Sequence, residues 1–543
     1  MTPRTPVIKY KFQCPVVHVD GYKTGHIYQY PDGTDFCYSN FTPRSTKHLN
    51  VSEDYDDRIV VFGMRGLVQH YLVNEWNDKF FNQPAEEVVP LYKRLMDEYL
   101  GKDSVGIEHI QALHDLGYLP VMIKALPEGI RVPVRVAHWT IQSTVKGFSW
   151  VTNYLETQLS AEHWSSPTNA TIAFEFKRLF TKWAVQTGSP LEFVDYQGHD
   201  FSFRGISSVS SAIYSGAAHL TCFKGTDTVP AILYHEELYA GKNVGASVPA
   251  TEHAVMCMGG KDGELGTINR LITQVYPSGI VSIVSDTWDF WNTISHIALL
   301  LGPEIMARDG KVVFRPDSGN PADIICGTAR RLDHVDSMDA AINEADDMGY
   351  DIFVFGGKYY QYFETSEKDG WYEVEPTVEM KGAAQVLWEI FGGTETAKGF
   401  KVLDSHVGLI YGDSINLSNA EEILERLAGK GFASCNIVFG IGSYTYQYIT
   451  RDSIGSAIKM TFGEVNGEPR EIYKDPKTDS GVKKSAVGLI RIEWEEGEYV
   501  QYDRQTYEEE KRGLLRPIFI NSKFIDNEDT TEVIRTRLNL QVR

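Results

Sequence analysis

Positive charge is scarce in this 543-residue chain: 52 Lys and Arg stand against 73 Asp and Glu, a formal net charge of −21. A protein that wraps nucleic acid needs a continuous basic surface to displace counterions from phosphates, so that class is excluded. Paired cysteines are missing as well. Cys14, Cys37, Cys222, Cys257, Cys326 and Cys435 are scattered, with no C-x-x-C and no His cluster at zinc-finger spacing. That is the usage of a reduced, cytoplasmic protein. No stretch approaches about 18 uninterrupted apolar residues, and the first ten residues carry Pro3 and Pro6 without an apolar core, so neither a membrane span nor a secretory leader is expected. Low-complexity tracts and internal repeats are lacking too.

What is present is a large core. With 42% apolar and 12% aromatic residues, the chain can bury enough surface to offset the entropy of ordering, which rules out disorder. At roughly 100 to 200 residues per domain, the length suits about three domains or one large α/β barrel with additions. The text divides into a mixed α/β region over 1–190, a repeating catalytic region over 191–451 and a C-terminal segment over 452–543. In the first, Tyr28 to Thr34 holds a Pro-Asp-Gly turn, Leu67 to Tyr99 has helical apolar spacing, and Asn169 to Thr187 predicts a helix stopped by Gly188.

From about residue 191 a rhythm sets in. A short apolar run ends in a tip of Gly, Asp or Arg, helical text follows, and the cycle repeats: LEFVDYQGHDFSFRG, AHLTCFKGTDT, GIVSIVSDTWD, KVVFRPDSGNP, HVGLIYGDS and CNIVFGIGS. Strands with polar C-terminal ends, alternating with helices, predict a parallel sheet, closed as a (β/α) barrel or open and doubly wound. After the fifth tip, Ser418 and Glu421 match a capping box, and Gly429 is placed to stop the helix. Two segments break the rhythm: Ile352 to Glu375 alternates like strands around Lys-Asp-Gly, and Leu489 to Tyr502 reads as a hairpin around Glu-Gly. Both are expected to be structural additions or interface pieces, not catalytic parts.

The tips carry the chemistry. Asp286 follows an apolar run with Asp289 three residues on; a strand-end Asp commonly caps a helix. Pro316-Asp317-Ser318-Gly319 suits a type I turn, which does not require the preceding Arg315. A guanidinium and a carboxylate two residues apart suit an anionic, polyhydroxyl ligand. Gly412-Asp413 repeats that logic, and Gly440-Ile441-Gly442-Ser443, with Arg451 eight residues on, resembles a late-strand phosphate loop. Phe201, Arg204 and Asp227 add a ring, a cation and an anion, and His253 lies beside Glu252. Together these groups describe a phosphosugar site.

VDGYK, HDFSFRGISS, AHLTCFKGTDTV, ASVPATEH, VSIVSDTWDFWN, FRPDSGNP, IYGDS, NIVFGIGS, TRDSIGSAIK and YKDPKTDSG, in this order over residues 19 to 481, resemble the type II phosphoribosyltransferases, and within them those that act on nicotinamide. The resemblance implies an irregular (β/α) barrel with a flanking mixed sheet domain built from both chain ends. It also implies a homodimer with sites at the subunit interface, and condensation of nicotinamide with 5-phosphoribosyl-1-pyrophosphate to nicotinamide mononucleotide and pyrophosphate. Mg²⁺ and ATP are the implied cofactors, with ATP acting through a phosphorylated His253; no protein ligand for the metal is assigned.

By position, Phe201 and a partner subunit's Tyr22 would sandwich the pyridine ring, and Asp227 would accept from the carboxamide. Arg204 and Arg315 would contact the amide oxygen or phosphates; Asp317 and Asp413, beside Gly412, would hold ribose hydroxyls. Asp286 would organise the Mg-pyrophosphate and the reacting carbon. Ser443 and Arg451 would take the 5′-phosphate, and Arg44, Lys459, Lys474 and Lys483 or Lys484 would face pyrophosphate or ATP. Two departures stand out. Ser443 and Tyr444 occupy positions where the family carries glycine, and a positive φ at Ser443 would be strained; the hairpin over 352–375 is longer than the family needs. The alternatives are a transferase acting on nicotinate and a non-catalytic binder on the same fold.

Overall fold

The computed structural model describes residues 10–52, 54–412, 414–473 and 486–542. Two compact units emerge: one comprises Met1–Ile172, Pro230–Val244 and Ile449–Gln541, the other Ala173–Val229, Gly245–Tyr448 and the last two residues.

The second unit is built on the six predicted tips. Its strands are β1 (Gly198–Asp200), β2 (Gly225–Thr226), β3 (Ser278–Val284), β4 (Asp309–Arg315), β5 (Val407–Tyr411) and β6 (Ile437–Ile441). They form one sheet in the order β2-β1-β6-β5-β4-β3, and every neighbouring pair is parallel. The strands read as apolar runs because parallel sheets are covered on both faces; Val281, Ile283, Val312, Phe314, Leu409 and Phe439 are all buried. The sheet curls. Residues 246–251 bridge both edge strands: Ala246 pairs with Gly225 of β2, and Ala250 pairs with Ser282 of β3. All six strands end on the same side, so their tips face one mouth.

The helix after β5 spans Leu417–Gly429 and starts earlier than its sequence suggests. Asn416, in an extended conformation, accepts from the amide of Asn419, whose side chain accepts from the Asn416 amide in return. Ser418 and Glu421 therefore do not form the cap. Nor does Gly429 stop the helix: Gly431, at φ +77°, does so. Phe432 N–H bonds Leu427 carbonyl and Gly431 N–H bonds Ala428 carbonyl, the pairing of a Schellman end. Likewise the helix expected over Asn169 to Thr187 begins at Ser165, since Pro167 falls in the first turn, where its missing N–H costs nothing.

The addition near 352–375 is a four-stranded sheet of Arg330–Arg331, Ile352–Phe355, Lys358–Glu364 and Asp369–Val374. It has its own small core of Leu332, Ala341, Ala345 and Phe353. The turn falls earlier than Lys-Asp-Gly: Thr365 closes it by accepting from the Lys368 amide, and Asp369 and Gly370 already pair within the strand.

The first unit centres on a seven-stranded antiparallel sheet. Its order is Glu468–Glu471, Ala457–Val465, Thr34–Thr42, Trp139–Ser143, Val121–Ala125, Arg516–Ile520 and Lys523–Phe524. Strands from both ends of the chain thus share one sheet. The Glu-Gly hairpin joins Leu489–Glu495 to Glu498–Gln505, and Glu496 and Gly497 both take positive φ, as a tight hairpin turn demands. Within the helical stretch, Val68, Tyr71 and Leu72 are buried, whereas Tyr99 is exposed.

The same unit holds two buried carboxyl groups, Glu128 and Asp529. Glu128 accepts from the Gly63 and Arg65 amides, and its own amide donates to Asp529. Burial, then the neighbouring Asp529 charge, push the Glu128 carboxyl up to about 7. An unfolded Glu titrates near 4.5, so between these values the native chain holds a proton that the unfolded chain has lost. Stability therefore falls as pH rises through that window, by on the order of 3 kcal/mol in total. Thermal melts between pH 5 and 8 should show this decline, and Glu128→Gln should flatten it. An unchanged slope in that variant would remove Glu128 as its cause.

Candidate active site

Phe201, Arg204, Asp227, Arg315, Asp317, Gly412 and Ser443, contributed by five different strand ends, line one cavity of 780 Å³ in the second unit. A second cavity of 480 Å³, with apolar walls that include Ile280, Val313, Leu409 and Val438, shares Phe201 and Asp227 with it. These two side chains stand where the polar mouth meets the apolar interior.

Each group is held by a local device. Asp200, fully buried, accepts from the Ser202 amide, the Ser202 hydroxyl and the Thr228 hydroxyl, which ties the β1 tip to the β2 tip, while the Phe201 amide donates to the Ile441 carbonyl of β6. Gly440 makes room for the ring: a Cβ there would lie 2.6 Å from Phe201 Cδ2. Arg315 donates to the Thr251 carbonyl at 2.7 Å, and its Nε lies 3.4 Å from Asp317 Oδ1.

Asp286 and Asp289 divide the two roles open to a strand-end aspartate. Asp289 caps the next helix by accepting from the Asn292 amide. Asp286 instead reaches across to the β4 tip, where Oδ2 accepts from the Asp317 amide at 2.9 Å and from the Ser318 hydroxyl at 2.6 Å. His253 faces this pair. Its Nε2 is 3.7 Å from both Asp286 Oδ1 and Asp317 Oδ2, and its Nδ1 is 3.1 Å from the Thr287 hydroxyl. Asp286 Oδ1 is buried without a hydrogen bond among the described residues. Among the described residues no group of three or more His, Cys, Asp or Glu is placed to hold a metal ion. One or two hard carboxylate oxygens suit Mg²⁺ that arrives on ligand phosphates.

Asp227 is half-exposed and anchored by His199 and Ser247. Burial pushes its carboxyl up, but hydrogen bonds and charge from His199, with help from Ser247 and Arg315, outweigh this and hold it below the ordinary carboxylate range. Ser443 sits at the first position of the short helix Ser443–Tyr446 and is not among the residues with positive φ. The strain expected from serine in place of glycine is therefore not incurred. Gly205 packs against it, a Cβ there falling 2.1 Å from Ser443 Oγ.

Other candidate residues lie in the first unit. Lys459 pairs with Asn40 across the sheet, and the Arg44 side chain donates to the Gly455 carbonyl. Burial, then the like charge of Arg451, lowers the Arg44 pKa; burial also lowers that of Lys459, with Arg44, Arg451 and Lys23 as neighbouring cations. Tyr22 is 64% exposed and meets His26 edge-on. Asp413, Lys474, Lys483 and Lys484 fall outside the described residues. Sequence reasoning missed Thr287, Ser247 and Lys23, the last buried against Glu156 and Asn153. All three lie inside quoted motifs, but only the fold brings them to His253, Asp227 and Glu156.

Carboxylates, guanidinium groups and a serine at a helix start, gathered at the ends of a parallel sheet, define a class: enzymes that handle a phosphorylated sugar. Comparison with known proteins narrows it. Residues 196–511 match the nicotinate phosphoribosyltransferase (NAPRTase) family. A nicotinamide phosphoribosyltransferase of Acinetobacter baylyi is 51% identical over 97% of each chain. One of Mycoplasma pneumoniae is 30% identical over 86% of this chain and 93% of its own. The structure of a nicotinate-nucleotide pyrophosphorylase from Pyrococcus furiosus superposes with a TM-score of 0.51 at 13% identity, covering 99% of this chain and 98% of that one, a likeness of fold. The chain belongs to the nicotinate phosphoribosyltransferase family. No helix among the described residues is long and apolar enough to cross a membrane.

Gly412 offers a direct check of the site. A Cβ there would lie 2.1 Å from Asp317 Oδ1 and 3.3 Å from Arg315 Cδ. Gly412→Ala should displace the carboxylate and lower phosphoribosyl-transfer turnover at least about tenfold, with the melting temperature nearly unchanged. A rate within twofold of the parent would show that the carboxylate's position is immaterial.

Proposed function

We propose that this protein is a nicotinamide phosphoribosyltransferase, joining nicotinamide to 5-phosphoribosyl-1-pyrophosphate to give nicotinamide mononucleotide and pyrophosphate in NAD biosynthesis. The observation that carries the amide over the acid is Asp227, an ionised carboxylate at the junction of the polar and apolar cavities. It can accept from a carboxamide N–H and repels the carboxylate of nicotinate.

The pyridine nitrogen already has a free lone pair, so the nucleophile needs no general base. The protein's task is positioning and charge. Phe201 provides a face for the ring, and Asp317, with Asp413, holds the ribose hydroxyls. As the glycosidic bond to pyrophosphate breaks, positive charge develops on the ribosyl carbon and passes to the pyridine nitrogen. Asp286 and Asp317 favour the first location and Asp227 the second. Arg204 and Arg315 take phosphate or amide oxygens, and the Ser443 amide, with Arg451, takes the 5′-phosphate. Mg²⁺, held by Asp286 and Asp317 with the substrate phosphates, would neutralise the leaving pyrophosphate. ATP stimulation would run through His253, whose Nε2 faces both carboxylates while Thr287 holds Nδ1.

In this reading the curled sheet serves as an irregular barrel, and the protein works as a homodimer. A second copy supplies Tyr22 for the other ring face, and Arg44, Lys459, Lys474 and Lys483 or Lys484 face pyrophosphate or ATP phosphates.

Purified protein given both substrates should form nicotinamide mononucleotide, faster with ATP. Equal use of nicotinate in competition would favour the acid-specific activity instead. Asp317→Asn should lower turnover at least about a hundredfold, roughly 3 kcal/mol of transition-state stabilisation, with folding intact. A near-normal rate would take Asp317 out of the mechanism.

A further inference from the structure

The two oxygens of Asp227 are not equivalent. Oδ1 accepts from His199 Nε2 at 2.9 Å and from Ser247 Oγ at 2.8 Å, whereas Oδ2 accepts from nothing among the described residues. The donors come from different places: His199 lies within β1, and Ser247 in the segment that bridges the sheet edges. His199 is aimed by its register. It pairs with Gly225 of β2, where a Cβ would lie 2.8 Å from His199 Nδ1. Glycine at that position lets the imidazole lie across β2 toward Asp227, two residues further on. The ring also packs against Phe201, centroids 4.6 Å apart. A side chain so confined presents one nitrogen to one oxygen.

We propose that His199, together with Ser247, is a specificity-determining positioning residue. By saturating Oδ1, the two donors lock the Asp227 carboxylate in one orientation and leave Oδ2 as a single acceptor for one N–H of an uncharged carboxamide. This rests on the reading of Asp227 as the carboxamide acceptor. Hydrogen bonds to an ionised acceptor also favour its charged form. Without them, a carboxyl in this partly buried place takes up a proton more readily, and a protonated Asp227 could donate to a carboxylate ligand instead of repelling it. Loss of His199 should therefore weaken amide binding and narrow the preference over the acid together.

The test is steady-state kinetics of the full-length enzyme with nicotinamide and nicotinate. His199→Leu, close in size and without a donor, should raise the KM for nicotinamide about tenfold, the scale of a hydrogen bond to a charged group. The ratio of kcat/KM between amide and acid should fall by a similar factor, while kcat and the KM for 5-phosphoribosyl-1-pyrophosphate stay within about twofold. His199→Gln, which keeps a donor, should recover most of the loss, and Ser247→Ala should reproduce a smaller part of it. In an Asp227→Ala background, His199→Leu should add nothing. An unchanged amide KM and preference in His199→Leu, or a loss that persists in full without Asp227, would overturn the proposal and leave the reading of Asp227 standing. Should Asp227→Ala alone keep the amide preference, that reading falls and the proposal with it, an outcome distinguishable because it needs no change at His199.

Discussion

The site depends on one carboxylate that looks sideways. Asp286 spends an oxygen on the backbone amide of Asp317 and the hydroxyl of Ser318, both on the neighbouring strand tip. With the side chain only 4% exposed, these hydrogen bonds form in a place where an unpaired charge would be costly. They fix the turn after β4, and hence Asp317, relative to β3. Arg315 is pinned from the other direction by the Thr251 carbonyl. Asp286, Asp317 and Arg315 are thus set by hydrogen bonds to backbone on neighbouring segments, which is how a site is held to the tolerance that positioning catalysis needs.

The acidity of the chain as a whole says little about this site. Solubility follows from the net charge, whereas the reaction follows from where a few charges converge. Carboxylates at the mouth suit a step that creates positive charge, and the arginines beside them suit anionic phosphates. Placing both within one cavity resolves the conflict between a cation-like ribosyl centre and a polyanionic substrate. Glycine does quieter work: at Gly412 and Gly440 the absence of Cβ lets Asp317 and Phe201 approach the strand ends closely.

The strand tips were legible in the sequence because each is a local signal, an apolar run followed by a turn and a polar side chain. All six proved to belong to one parallel sheet. Helix ends were less legible, since Asn416, Ser418 and Asn419 can each cap and only burial of Leu417 and its neighbours decides where the helix begins. Between Asp286 and Asp289, sequence offers no means of telling a cap from a cross-strand contact. What could not be read were pairings across long separations: Lys23 with Glu156, Thr287 with His253, His199 and Ser247 with one oxygen of Asp227. These depend on register and curl, which no short motif encodes.

The function of the site turns on whether one pyridine nucleotide seats in the mouth formed by these tips. A crystal structure of the protein with nicotinamide mononucleotide bound tests it most directly. The pyridine ring is expected against Phe201 with its amide nitrogen on Asp227 Oδ2, the ribose hydroxyls on Asp317, and the phosphate at the Ser443 amide. A nucleotide seated away from the β1, β4 and β6 tips, or bound with its phosphate toward Asp227, would contradict this placement.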